Sequence, residues 1–257
     1  MAAKGSGTLR VVGLGPGPSA WLTEEARRAL GAAQHVIGYH RYLSRLPELE
    51  GKILHGSNNG DELERARHGL ALSASGAHVV IVSGGDPGVF GMAAAVFEAI
   101  EQGPAAYRSL DIAVLPGVTA MLAVAARLGA PLGNDFCTLN LSDNLKPWAT
   151  IERRLALAAQ ADFVIALYNP ASNARITQVL TAFNILRQHR EAGAVVVFAK
   201  AVGRPDEELL VTTLGEADPA HADMRTLILI GARSTRCIER PGATPWVYTP
   251  RRVSEAP

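Results

Sequence analysis

Short runs of β-branched and apolar residues alternate with amphipathic helical stretches along nearly the whole chain. This alternation is typical of parallel strands joined by crossover helices, so it predicts an α/β fold. In the first half we predict strands at 9–12, 35–38, 79–83 and 111–115, and helices at 23–33, 60–75, 91–101 and 120–128. In the second half we predict strands at 137–141, 163–168, 195–199, 209–213 and 227–230, and helices at 147–159 and 175–189.

A proline turn separates the two halves. The segment from Gly129 to Asn134 follows a helical stretch and contains Pro131, which combines a helix stop with a turn. We therefore expect two α/β domains, residues 1–130 and 131–257. The tail beyond Glu239 carries four prolines, and we expect its end to be frayed.

Composition argues against several classes of protein. The formal net charge of +1 gives no overall attraction to nucleic acid, and no segment concentrates Lys and Arg. No apolar run reaches the ~20 residues that a bilayer span requires, and the first residues lack the pattern of a secretion signal. We expect a cytoplasmic enzyme that binds neither nucleic acid nor membrane.

Neither the cysteines nor the histidines show the spacing of metal ligands. Cys137 and Cys237 lie far apart, and the seven histidines are scattered. We therefore expect no metal site. A disulfide between the two cysteines stays open, although two thiols in an intracellular protein are more often buried and reduced.

The segment GLGPGP, Gly13 to Pro18, follows the first predicted strand and precedes a helix. It differs from a dinucleotide-binding loop because Pro16 and Pro18 stiffen the turn and remove N–H donors. No glycine-rich turn is followed by GK[ST], so a Walker loop is absent too. Phosphate binding is disfavoured, and the segment is either a tight turn or a binding loop for another ligand.

Two further loops directly follow predicted strands: SGGDPGVFGM, Ser83 to Met92, and PGVTA, Pro116 to Ala120. In an open α/β sheet such loops share one edge, where small ligands bind. Asp86 is open to a second interpretation as a turn residue or helix N-cap, and Thr119 as a helix cap. Taken together with GLGPGP, the loops predict a small-molecule crevice.

The order GLGPG, GGDPGVFGM and LPGVTAMLAVAARLGAPL resembles that of the tetrapyrrole methyltransferases, and the resemblance covers nearly the whole chain. It implies two α/β domains with S-adenosylmethionine in the cleft between them, and a homodimer. The stretch from Asp135 to Phe183, together with GYHRYL and FAKAVGRPDEELLVTTL, narrows the resemblance to members that methylate precorrin-3B. These members act at ring carbon 17 and contract the ring to precorrin-4 in cobalamin biosynthesis.

Carried over motif by motif, the family's cofactor contacts fall mainly on loop residues whose backbone groups can bind a ligand. They are Pro16, Gly84, Gly85, Asp86, Val89, Thr119, Ala120, Asn169 and Thr213.

The carboxylates of a tetrapyrrole substrate imply local cations. Possible ones, each also interpretable as an ordinary surface charge, are Arg41, Lys146, Arg153, Arg154, Arg175, Lys200 and Arg204. In LNLSDNL, the polar Ser142, Asp143 and Asn144 either engage the ring and shuttle protons or form a turn and helix cap. Ser142, Asp143 and Lys200 are the candidate catalytic residues, and Lys200 stands out because it follows an apolar strand.

Two rival functions stay open. One is a sister enzyme that methylates another ring carbon or a cobalt-bearing substrate. The other is a non-catalytic cofactor-binding or nucleotide-binding module that uses the same crevice, as generic glycine-rich turns would allow. Binding measurements with S-adenosylmethionine and nucleotides, followed by a turnover assay, separate these functions.

Overall fold

The chain divides after Thr119 into two units, Met1–Thr119 and Ala120–Pro257, each with its own main sheet. The computed structural model describes residues 7–46, 50–171 and 177–252. The division precedes the predicted boundary at residue 130, because the helix at 120–128 packs on strands of the second unit. The proline turn at Pro131 therefore lies within the second unit.

The first unit is built on five parallel strands. They are β1 (Thr8–Gly13), β2 (His35–Tyr39), β3 (Ile53–Ser57), β4 (His78–Ser83) and β5 (Asp111–Leu115). The helices are α1 (Glu24–Ala32), α2 (His40–Leu43), α3 (Glu62–Ala74) and α4 (Met92–Gln102), with 3-10 turns at Ser19–Trp21 and Ala105–Ser109. The sheet order is β3-β2-β4-β1-β5. Because all strands run in one direction, the loops that follow them share one edge.

Helices cover both faces of this sheet, which explains why its central strands are almost continuously apolar. On one face Leu70 of α3 and Val96 of α4 belong to the buried cluster around Ile81. On the other face Leu30 of α1 packs in a cluster with Val82. Burial of each such side chain contributes about 1.5–3 kcal/mol, so the loop edge rests on a rigid support.

Three histidines link the outer strand β3 to its neighbours. His55 faces Nδ1 of His35 with its Nε2 at 2.9 Å, and it faces Nε2 of His68 with its Nδ1 at 3.0 Å. Since each ring nitrogen of His55 faces a different imidazole, the three rings do not converge on one metal ion. Partial burial, together with the charges of His68 and His35, lowers the pKa of His55 from its ordinary value.

Acidification is expected to weaken this edge of the first unit. Because the pKa of His55 is lower in the folded than in the unfolded state, its contribution to stability is complete above the ordinary histidine pKa. That contribution is lost as the pH falls through the folded value. The thermal midpoint of a His55→Gln variant should therefore fall less than that of the wild type between about pH 7.5 and about pH 5. Equal falls in calorimetry would contradict this prediction.

The second unit contains a mixed sheet and a smaller one. Its strands are β6 (Gly129–Ala130), β7 (Phe136–Asn140), β8 (Val164–Tyr168), β9 (Val195–Lys200), β10 (Glu208–Thr213), β11 (Thr226–Ile230), β12 (Arg236–Arg240) and β13 (Ala243–Tyr248). Its helices are α5 (Ala120–Leu128), α6 (Trp148–Gln160) and α7 (Gln178–His189), with a 3-10 turn at Pro219–His221. The main sheet has the order β10-β9-β11-β8-β7, and the small sheet has the order β12-β13-β6.

Strands β10 and β11 run antiparallel to their neighbours, which corrects the expectation of parallel strands throughout. A short loop without a helix joins β9 to β10, and so short a connection returns the chain antiparallel. As a result β10 begins, rather than ends, at the edge where β8 and β9 end.

The sequence patterns missed the strands β3, β6, β12 and β13 and the short helix α2. Strand β3 lies at the outside of its sheet, and its Ile53 and Leu54 are exposed, so no alternation of buried and exposed residues marks it. Strand β13 contains Pro245, beside which the pairing with β12 is irregular. This strand lies in the tail beyond Glu239, whose last residues, 253–257, are outside the described residues.

Candidate active site

The three glycine-rich loops of the first unit meet at the carboxyl edge of its sheet. Gly15 and Gly85 exchange backbone hydrogen bonds of 3.1 and 3.2 Å, which join the loops after β1 and β4. The Gly117 N–H donates to Oδ2 of Asp86 at 3.0 Å, which joins the loop after β5 to the same point. The position of these loops after parallel strands predicts this convergence.

Glycine is required where these loops touch. A Cβ added at Gly117 would lie 2.4 Å from the Gly85 carbonyl oxygen, and one added at Gly13 would lie 2.6 Å from the Gly117 nitrogen. Gly15 and Gly85 both have a φ of 67°, where L side chains are unfavourable. The edge is therefore formed by closely packed backbone. The groups that it can offer to a ligand are peptide N–H and C=O groups.

Asp86 holds two loops together. Its Oδ1 accepts from the Gly88 N–H at 2.8 Å and its Oδ2 accepts from the Gly117 N–H at 3.0 Å. The turn after it closes where the Val89 N–H donates to the Asp86 carbonyl at 3.3 Å. The carboxylate therefore stabilises the turn after β4, which is one of the interpretations that the sequence left open. It also binds the loop after β5.

Replacement of Asp86 by alanine is expected to loosen the loop after β5 without unfolding the chain. If this edge binds the S-adenosylmethionine that the resemblance implies, loss of two charge-assisted hydrogen bonds should weaken binding of its demethylated product, S-adenosylhomocysteine, about tenfold. Asp86→Asn should have an intermediate effect. Its amide oxygen can still accept from the Gly88 N–H, but its NH₂ group then faces the Gly117 N–H, so only one of the two hydrogen bonds is kept. Calorimetric titration and thermal midpoints check this, and unchanged affinity in Asp86→Ala would remove the carboxylate from the site.

Two contacts at this edge come from residues that the sequence analysis missed. A Cβ at Gly84 would lie 2.7 Å from the ring of Tyr42, so this ring packs on the loop after β4. The Arg45 guanidinium donates to the carbonyls of Pro16 and Gly17 at 3.2 and 3.0 Å. Both side chains lie in or next to GYHRYL, where the sequence pointed only to Arg41, which is exposed.

A third missed residue, Arg65 of α3, is a buried cation at the same edge. Its side chain donates to Oγ of Ser57 at 2.9 Å, to the Asn58 carbonyl at 2.7 Å and to Sδ of Met92 at 3.1 Å. Arg65 is only 5% exposed. Among the described residues no carboxylate pairs with it, so its contacts are all neutral.

In the second unit, the side-chain amide of Asn140 connects the ends of β7 and β8 by hydrogen bonds. Oδ1 of Asn140 accepts from the Ser142 N–H at 2.8 Å and from Nδ2 of Asn169 at 3.1 Å. Oδ2 of Asp143 accepts from Nε2 of Gln178 at 3.1 Å. The structure thus brings Ser142, Asp143 and Asn169 to one edge, through an Asn140 contact that the sequence analysis missed.

Lys200 and Thr213 occupy different surroundings within this unit. Lys200 Nζ lies 3.6 Å from Asp223 and 3.8 Å from Glu208, so two carboxylates compete for its charge. Thr213 pairs with Val195, at the opposite edge of the sheet from Lys200. Its assignment to the same ligand as Asn169 stays a prediction.

Lys146 and Arg154 form a pair of like charges. Partial burial and the nearby Arg154 guanidinium lower the pKa of Lys146. Within the described ranges neither side chain has an ion-pair partner. Two cations that repel each other, with no ion-pair partner among the described residues, suit a ligand carboxylate. Arg153 and Arg154 are both exposed, and Arg175 lies outside the described residues.

Some predicted absences concern only the part of the chain that is described. There, no group of three His, Cys, Asp or Glu side chains is placed to hold a metal ion. Cys137 and Cys237 are free thiols. No described helix has the length and apolar character needed to cross a membrane.

Comparison with known proteins identifies the family. Residues 8–218 match the family model of Tetrapyrrole (Corrin/Porphyrin) Methylases. The chain is 55% identical over 246 residues to a precorrin-3B C(17)-methyltransferase of Sinorhizobium sp, covering 96% of this chain and 97% of that protein. It is 39% identical to a probable cobalt-factor III C(17)-methyltransferase of Salmonella typhimurium, covering 94% and 99% of the two chains.

Among solved structures, that of the methyltransferase CobJ has a TM-score of 0.90 at 48% identity, and the match covers 95% of this chain and 100% of that one. This likeness confirms the predicted α/β fold. By its motifs, its fold and its matches over most of its length, the chain belongs to the tetrapyrrole (corrin/porphyrin) methylase family.

Proposed function

We propose that this protein transfers a methyl group from S-adenosylmethionine to carbon 17 of precorrin-3B, with ring contraction to precorrin-4, in cobalamin biosynthesis. The observation that carries the proposal is 55% identity to the Sinorhizobium precorrin-3B C(17)-methyltransferase over nearly the whole of both chains. Identity at this level, over 96% of this chain and 97% of the relative, supports a shared substrate as well as a shared fold.

The loop edge of the first unit fits S-adenosylmethionine, whose adenine and methionine ends can be bound by peptide N–H and C=O groups. Close glycine packing exposes such groups, whereas the prolines of GLGPGP disfavour a phosphate ligand. When bound, the cofactor supplies an electrophilic methyl group, and the chain positions it and excludes water. The residues proposed to hold it are Pro16, Gly84, Gly85, Asp86, Val89 and Thr119 of the first unit and Ala120 and Asn169 of the second. Thr213 is not included, because it lies at the opposite edge of its sheet from Asn169.

The proposed substrate carries several carboxylates, and the pair Lys146 and Arg154 is our first choice to bind one of them. Ring contraction requires proton transfer, for which we propose Ser142 and Asp143 beside the ends of β7 and β8. Lys200 is the other candidate, and it pairs with Asp223 and Glu208. A cobalt-bearing substrate is the second candidate, favoured by the 39% identity to the Salmonella typhimurium protein.

We also propose a homodimer in the cytoplasm. Strand β3 is an edge strand whose Ile53 and Leu54 are both exposed, and such an edge supports self-association. The free thiols of Cys137 and Cys237 suit a reducing compartment. Light scattering of the purified protein tests the dimer, and a single-chain mass at every concentration would refute it.

Incubation of the purified protein with labelled S-adenosylmethionine and a panel of precorrins, with and without cobalt, tests the function. We expect label at carbon 17 of a ring-contracted product from cobalt-free precorrin-3B. Label from the cobalt substrate alone would establish the second candidate. Absence of methyl transfer, with nucleotides bound more tightly than S-adenosylmethionine, would refute both.

A further inference from the structure

A side chain from strand β8 binds the first turn of α5. The Met121 N–H donates to the phenol oxygen of Tyr168 at 3.0 Å, across 47 positions of the chain. The first N–H groups of a helix have no partner within the helix, and the side chain that satisfies one of them usually belongs to the residue directly before the helix. Here the acceptor comes from a different element of the same unit, so the bond also fixes α5 to β8.

Apolar packing specifies the position of α5 less narrowly than this bond does. The buried side chains of α5 include Val124 and Leu128, and the helix packs on strands that include β11, the neighbour of β8 in the sheet. Apolar contacts are non-directional, whereas a hydrogen bond requires a defined distance and angle. The Tyr168 hydroxyl therefore determines where the end of α5 that carries Ala120 lies.

The backbone of Tyr168 belongs to a second set of contacts at the same edge. Its carbonyl accepts from the Leu141 N–H at 3.0 Å. The next residue, Asn169, has a φ of 51° and donates from Nδ2 to Oδ1 of Asn140 at 3.1 Å. Through its side chain and its backbone, Tyr168 thus connects the start of α5 to the ends of β7 and β8. These positions include Ala120 and Asn169, the two residues of the second unit that are proposed to hold the cofactor.

We propose that Tyr168 is a positioning residue of the cofactor site, whose hydroxyl keeps the first turn of α5, and with it Ala120, in a fixed place relative to Asn169. This inference rests on the proposed function, because it concerns the site of S-adenosylmethionine. A phenylalanine at this position would keep the ring but leave the Met121 N–H without the phenol oxygen as acceptor. The first turn of α5 would then fray, and the cofactor would lose contacts although the sheet stays intact.

The test compares Tyr168→Phe with a matched control, Thr235→Val, which also removes one hydroxyl from the second unit. Oγ1 of Thr235 lies 2.8 Å from Oγ1 of Thr249 in a buried contact. Thr235 follows β11, which runs antiparallel to β8, so it lies at the opposite edge of the sheet from Asn169. Each variant should lower the thermal midpoint by about 2–4 °C, from loss of one hydrogen bond.

The two variants should differ in cofactor binding. We expect Tyr168→Phe to raise the Kd for S-adenosylhomocysteine about five- to tenfold in calorimetric titration, and Thr235→Val to leave it within about twofold of the wild type. In the methyl-transfer assay, the KM of Tyr168→Phe for S-adenosylmethionine should rise by a similar factor. Its kcat at saturating cofactor should stay within about twofold of the wild type, because a positioning residue acts on binding.

The inference fails if Tyr168→Phe binds S-adenosylhomocysteine as tightly as the wild type, because the hydroxyl would then only cap the helix. It fails too if Thr235→Val raises the Kd as much, since loss of stability would then explain both effects. A lower kcat with unchanged Kd and KM would assign the hydroxyl to the chemical step. These three results leave the proposed function standing, whereas a wild type that does not bind S-adenosylhomocysteine would refute the proposed function and this inference together.

Discussion

Gly117→Ala is expected to abolish measurable binding of S-adenosylhomocysteine. The added Cβ would lie 2.4 Å from the Gly85 carbonyl oxygen and 2.9 Å from Cα of Gly13. Both contacts are with backbone, so no side chain can rotate to relieve them, and the three loops must separate. We expect a Kd at least about 100-fold higher and a free energy of unfolding lower by about 2–3 kcal/mol. Calorimetric titration and denaturant unfolding measure the two effects.

Gly31→Ala is the matched control, because it adds the same methyl group where nothing lies within 4 Å. Gly31 lies in α1, so alanine should raise the free energy of unfolding by about 0.5–1 kcal/mol and leave the Kd unchanged. If Gly117→Ala bound the ligand as well as Gly31→Ala does, the loop edge would not be the cofactor site.

The second large effect is expected for Asp162→Ala, which should lower the free energy of unfolding without changing cofactor affinity. Arg190 at the end of α7 is buried, with its side chain 1% exposed, and burial lowers its pKa to about 10. Its Nη1 pairs with the Asp162 carboxylate and its Nη2 donates to the Phe163 carbonyl at 2.7 Å. Asp162→Ala leaves this cation buried without its counterion, which should cost about 3 kcal/mol of unfolding free energy.

Cofactor affinity of the folded Asp162→Ala protein should not change, because Asp162 precedes β8 whereas Asn169 follows it at the other edge. Asp162→Asn keeps an acceptor and tolerates the positive φ of 59°, so it should lose less. The control is Asp206→Ala, which removes an exposed ion pair with Arg225 and should barely shift the thermal midpoint. Equal shifts at Asp162 and Asp206 would contradict a buried role for Arg190.

The elements that sequence patterns predicted are those whose burial leaves a mark on the sequence. Strand β4 is buried on both faces and shows a continuous apolar run, and β1 shows an apolar run that only Arg10 interrupts. Strand β3, with Ile53 and Leu54 in solvent, shows no such run, and the irregular pairing beside Pro245 hides β13. The direction of β10 was missed although the sequence indicates it, because no helix is predicted between the strands at 195–199 and 209–213 and so short a connection cannot join parallel neighbours.

The candidate site likewise has features that the sequence predicts and features that it does not. The loops around Gly13, Gly85 and Gly117 were predictable, since glycine at a strand end reports a close approach of backbone. The contacts of Arg45 with Pro16, and of Asn140 with Asn169, join residues about 29 positions apart in each case. Only tertiary structure brings such pairs together, so a single sequence could not reveal them.

Arg65 gives the first unit an electrostatic property that the net charge of +1 conceals. Its guanidinium is buried and contacts only neutral acceptors, and the nearby Asp61 carboxylate accepts from the Asn58 N–H at 3.1 Å rather than from Arg65 itself. A charge held in a low-dielectric interior is also screened by salt much less than a surface lysine. The hydrogen bonds of Arg65, which join the end of β3 to the start of α4, should therefore persist over a wide range of ionic strength.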